Sequence, residues 1–143
     1  MTPSLIAALF FTVALLVITT YFIFGSVPLL ILKHDTPMDS RFVQGFFDTY
    51  YRIAMFTAGA TAVSYVLAGR LAFAAEAAAL AVLAFGLRRT VITKMNAVRA
   101  QMQVDETGAI RTFRQVHIAA ISINLVQLVL IVWTLIAVSM AQR

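Results

Sequence analysis

From Gln115 to Gln142 the chain carries no charged side chain. The heart of that run, His117 to Met140 (HIAAISINLVQLVLIVWTLIAVSM), exceeds the ~20 residues a helix needs to cross a bilayer. Three strongly polar residues interrupt it: His117, Asn124 and Gln127. At about 100° per residue they fall on one side of a helix, within roughly 80° of each other. A polar stripe turned toward lipid costs several kcal/mol. The stripe is therefore expected to face other helices, with the rest of the chain organised around it.

Composition agrees with a membrane location. Of 143 residues, 62% are hydrophobic and 12% charged, whereas soluble domains carry about 25% charged residues. No cysteine is present, which excludes disulfides, thiol catalysis and Cys-ligated metal sites. The net charge of +5 does not argue for nucleic acid. The basic residues lie between hydrophobic runs, where they act as topology signals.

The predicted architecture is all-α: a polytopic membrane four-helix bundle, up-down-up-down, filling the whole chain as one domain. The N-terminal apolar run lacks a basic leader and is too long for a signal core, so it is expected to be a retained first span. That span runs from about Pro3 to Phe24, or on to Leu32, because Gly25, Ser26 and Pro28 allow a kink or break. A polar loop, Lys33 to Arg41, follows. Thr36-Pro37 fits an N-cap with proline at the first helical position, so helix 2 starts there or at Asp39/Ser40.

Span two covers about 46–67. Its start is aromatic, and Tyr50 and Tyr51 are expected in the headgroup layer. Asp48 and Arg52 are spaced for an ion pair on one helix face. The very short link Ala68–Leu71 makes helices 2 and 3 an antiparallel hairpin. Alanines at spacing four (Ala54, Ala58 and Ala62; Ala74 and Ala78; Ala77 and Ala81) favour close packing. Span three covers about 71–88. Beyond it Val91, Met95, Val98 and Met102 keep a helical repeat. A turn is expected at Asp105–Gly108, and span four covers about 116–140. Helices 3 and 4 thus extend into the cytoplasm by about 10–16 Å. Nine basic residues flank loops one and three, and two lie on the other side. The positive-inside rule then puts loops one and three in the cytoplasm and both termini outside.

Few residues offer chemistry. Glu76 is the one acidic residue well inside a span, roughly 8 Å from its outer end. It reads as a proton or cation site or as a structural hydrogen bond, with Tyr65 and Thr134 or Ser139 at similar depth. His117, with His34 in the first loop, forms a weak pair for a haem b or a metal. Asn124 and Gln127 read as glue between helices, within the chain or to another subunit. Arg88, Arg89, Lys94 and Arg99 are expected at anionic headgroups or an acidic partner. No phosphate loop, nucleophile triad or paired carboxylate is present.

The early Gly25 and Pro28, the segments FFDTYYRI and TKMNAVRAQM, and the pattern Phe113, His117, Asn124 resemble a family of small four-span bacterial membrane proteins of unknown function. That family is related to the transmembrane protein 205-like group. Val116 stands where the family usually has leucine. The resemblance implies a fold and a location but no activity. The expected role is non-enzymatic: an accessory or scaffolding subunit that packs against other membrane proteins or a second copy, without a cofactor. The alternatives are a small transporter or channel component using Glu76, or a haem- or quinone-binding redox subunit using His117.

Overall fold

A computed structural model describes residues 2–30, 37–101 and 106–141. Within these residues the chain forms four α-helices and no strand: α1 Pro3–Leu29, α2 Pro37–Leu67, α3 Leu71–Gln101 and α4 Glu106–Met140. Three of them, α1, α3 and α4, are long and apolar enough to cross a membrane. α2 is 31 residues long and more polar, carrying Gln44, Asp48 and Arg52 along its first half. It is also the best enclosed helix, packing most extensively against α3 and then α1.

α1 begins at an N-cap, with the Thr2 hydroxyl accepting from the Leu5 amide at 3.3 Å and Pro3 preorganised at the first position. Gly25, Ser26 and Pro28 do not break it. Pro28 sits one residue from the end, so few helical bonds depend on it. The Ser26 hydroxyl donates back to the Phe22 carbonyl. Gly25 is needed for a close approach: a Cβ there would lie 2.7 Å from Phe46 Cζ. The proposed continuation to Leu32, the Lys33–Asp35 loop, Thr36 and His34 lie outside the described residues, as do Met102 and Asp105.

The buried face of α1 reads Leu5, Ala8, Thr12, Leu15, Thr19, Phe22, Ser26. α4 continues the same alternation of threes and fours through His117, Ala120, Asn124, Gln127, Ile131, Thr134 and Val138. That is the heptad seam of left-handed helix packing. Its polar positions lie inside, while large apolar residues such as Phe10, Phe56 and Trp133 lie outside.

Neighbouring helices run antiparallel. Thr12 meets Tyr65 and Phe22 meets Phe47 across α1 and α2, and Asp48 meets Arg88 across α2 and α3. The α2–α3 corner is a Schellman turn. Gly69 adopts φ +70°, its amide bonds the Val66 carbonyl, and the Arg70 amide bonds the Tyr65 carbonyl, both at 2.9 Å. Of the expected alanine face, Ala54, Ala58, Ala74 and Ala77 are buried, but Ala78 is exposed. The seam follows the heptad rather than a strict spacing of four, passing through Leu80, Ala84 and Leu87 instead.

The turn expected at Asp105–Gly108 is shorter than that: Glu106, Thr107 and Gly108 belong to α4. Below the seam, Val43, Met95, Val98, Ala109 and Phe113 continue the core between α2, α3 and α4.

Candidate functional site

Side chains that could do chemistry gather in three polar layers along the bundle, the first two of them in its interior. The first lies near the α2–α3 turn. Thr12 donates to the Ala8 carbonyl at 2.7 Å, which leaves the Tyr65 hydroxyl to donate to Thr12 Oγ1 at 3.2 Å. Glu76 is half-buried, and its Oε1 lies 2.5 Å from Thr134 Oγ1. Thr134 also reaches the Leu130 carbonyl at 3.0 Å. Tyr65, Glu76 and Thr134 share a depth as expected from the sequence. Ser139 does not join them, since it is exposed.

The middle layer is built on Asn124. Its Oδ1 accepts from the Tyr50 hydroxyl at 3.0 Å. Its amide nitrogen donates to the Ala120 carbonyl at 2.7 Å and to the Tyr51 hydroxyl at 3.3 Å. Thr19 Oγ1 lies 3.4 Å from the Tyr50 hydroxyl, so α1, α2 and α4 all contribute. Tyr50 and Tyr51, expected in the headgroup layer, both point into the bundle. They are buried inside the bundle, with Phe22 stacked on Tyr50 at 3.9 Å between ring centroids. A tyrosine next to a buried amide satisfies its hydroxyl there without needing the aqueous interface.

Asn124 and Gln127 are both buried within this chain, and Asn124 bonds to Tyr50 and Tyr51 of α2. His117, two turns before Asn124, is fully buried and perpendicular to the Phe47 ring at 4.9 Å. A haem or quinone would have to displace this packing to reach the imidazole. His34 lies outside the described residues, and among those described no cluster of His, Asp or Glu is arranged to hold a metal.

The third layer faces away from the α2–α3 turn. Asp48 accepts from Arg52 and from Arg88 Nε, both at 2.8 Å. Arg99 donates to Gln44 Oε1 at 3.0 Å. Two of the four expected headgroup cations, Arg88 and Arg99, therefore tie α3 to α2. Arg89 and Lys94 are exposed, with the Arg89 guanidinium 5.6 Å from the centroid of the Phe85 ring.

Reasoning from the sequence missed Thr12, Thr19 and Ser26 as an interior stripe. Their spacing of seven is the signal that marks it. Comparison with protein-family models, curated proteins and solved structures finds no match.

Proposed function

We propose that this chain is a non-enzymatic integral-membrane protein, an accessory or scaffolding subunit that associates with other membrane proteins or a second copy. In this reading α2 crosses the bilayer with α1, α3 and α4 as an up-down-up-down bundle. The ends of α3 and α4 reach into the cytoplasm, and both termini lie outside the bacterial inner membrane. The sequence resemblance to small four-span bacterial membrane proteins accords with that placement.

One observation carries the proposal. The buried amide and hydroxyl groups of the middle layer close on each other, while the outer surface is a jacket of large apolar side chains. Such a bundle offers its surroundings mainly apolar surface for lipid and neighbouring spans. At the opposite end Arg89, Lys94, Arg111 and Arg114 are exposed, a basic set suited to anionic headgroups or an acidic partner.

The test is extraction of native membranes in mild detergent, followed by measurement of particle mass and visible spectrum on the same sample. A complex larger than one chain, without a pigment of its own, is expected. A lone monomer would overturn the association. A Soret band lost in His117→Ala would replace this reading with a redox one.

A further inference from the structure

Tyr50 sits between Asp48 and Arg52 on α2, and its hydroxyl reaches Thr19 on α1 and Asn124 on α4. The Asp48–Arg88 pair brings α3 to the same level. From that level the four helices differ in character. On α1 the exposed Phe24 and Val27 carry apolar surface about 12 Å further from the α2–α3 turn. On α4 the exposed Ile118 carries it about 9 Å beyond Asn124. On α2 and α3 the same level is charged, with Asp48, Arg52, Arg88 and Arg89. In a bilayer, lipid that covers the α1–α4 side therefore sets the charged cluster roughly 10 Å beneath its headgroups.

The cluster is organised by one carboxylate. Asp48 Oδ1 accepts from Arg88 Nε and Oδ2 accepts from a terminal nitrogen of Arg52, each at 2.8 Å. Two guanidiniums are thus held side by side in the groove between α2 and α3. Among the described residues neither makes another hydrogen bond. A guanidinium has five N–H donors, so most of each fork is left for another acceptor. Arg89 adds a third cation. It is exposed and lies back over Phe85, 5.6 Å from the ring centroid, on the side of the α2–α3 turn. Three cations against one anion leave two positive charges uncompensated. Charges at hydrocarbon depth are costly unless they are paired, and guanidinium forks match the oxygens of a phosphate.

From this geometry we propose that the α2–α3 groove is a binding site for the phosphodiester of an anionic phospholipid. Arg52 and Arg88, fixed by Asp48, grip the phosphate, and Arg89 supplies further positive charge beside it. Tilting of the bundle, or thinning of the leaflet on this side, brings a headgroup to the cluster at modest cost. The acyl chains then lie along the apolar surface toward the α2–α3 turn, where Phe56 and Val82 are exposed. The site rests on the reading that all four helices lie in the bilayer, which is tested separately by labelling single cysteines.

The test is native mass spectrometry of the purified, delipidated full chain in a neutral detergent, titrated with phosphatidylglycerol or with phosphatidylcholine. The wild-type protein is expected to retain phosphatidylglycerol several-fold more tightly. Arg52→Ala and Arg89→Ala should each lower that affinity about fivefold, the worth of one cation near a headgroup. Lys94→Ala and Arg111→Ala, which alter the net charge equally but lie further from the turn, should leave it unchanged. Inorganic phosphate should not displace the lipid. Equal binding of the two lipids by the wild-type protein would overturn the site without reference to any variant. An equal loss in Lys94→Ala and Arg111→Ala would reduce it to net charge and overturn it as well. Displacement by inorganic phosphate at matched concentration would overturn the lipid as occupant.

Discussion

Tyr50 and Asn124, 74 residues apart in the chain, meet inside the bundle, with the tyrosine hydroxyl donating to the amide oxygen at 3.0 Å. Tyr51 accepts from the same amide at 3.3 Å. Asn124→Leu keeps the volume roughly but takes the amide away from the Tyr51 hydroxyl and leaves the Tyr50 hydroxyl with only the long contact to Thr19 at 3.4 Å. Leaving buried polar groups unmet costs about 1–3 kcal/mol, so a loss of about 2 kcal/mol is expected. Tyr50→Phe removes one partner of the same bond and should lose about 0.6–1.7 kcal/mol, the range of interhelical hydrogen bonds in membranes. Unfolding of the detergent-solubilised protein by SDS titration measures both. The double variant should lose less than the sum, because the two residues share one bond.

Asp48 serves two arginines unequally. Its carboxylate is 24% exposed, against 58% for the Arg52 side chain and 31% for Arg88. An exposed pair along one helix contributes little, about 0.3–0.5 kcal/mol, so Arg52→Ala should be nearly silent. Arg88→Ala removes the tie between α2 and α3 and should cost about 1 kcal/mol. Raising the salt concentration should weaken the wild type toward the Arg88→Ala variant.

Gly69 turns the corner between α2 and α3 at φ +70°. A Cβ there meets no neighbour, so the cost of Gly69→Ala is conformational rather than steric. It should be about 1–2 kcal/mol, the penalty for an L-residue in the left-handed region. A measured cost near zero would mean that the turn relaxes out of the Schellman geometry.

Orientation can be read with single cysteines, because the chain has none of its own. In spheroplasts, a membrane-impermeant maleimide should label Arg70→Cys. It should label Lys94→Cys only in inverted vesicles. The reverse pattern would invert the proposed topology.

The charge-free run around Asn124 already implied a membrane helix, and the clustering of His117, Asn124 and Gln127 within about 80° already implied an inward face. Periodicity and hydropathy are local properties, so a linear reading reaches them. Counting residues from the α2–α3 turn likewise narrowed the level of Glu76 on α4 to Thr134 or Ser139, because helices rise a constant 1.5 Å per residue, and the structure selects Thr134. The partners of Asn124 were not legible in that way. Two adjacent tyrosines beside an aspartate look like interfacial residues. Only the antiparallel register of α1 and α2, together with the crossing of α4, brings them to a buried amide.

The fate of the basic cluster was decided the same way. Arg88, Arg89, Lys94 and Arg99 are equivalent cations in sequence, yet two meet α2 and two meet the surroundings. Which side of a helix faces a neighbour depends on heptad phase against another helix, a relation between distant segments. The sequence by itself therefore determined the helices, their apolar character and the inward face of α4, all set by near neighbours along the chain. The tertiary structure alone decided which polar groups meet and which of the cations turn to a neighbouring helix. Those depend on how four helices share one interior, and hydrogen bonds form only between groups that packing brings within about 3 Å.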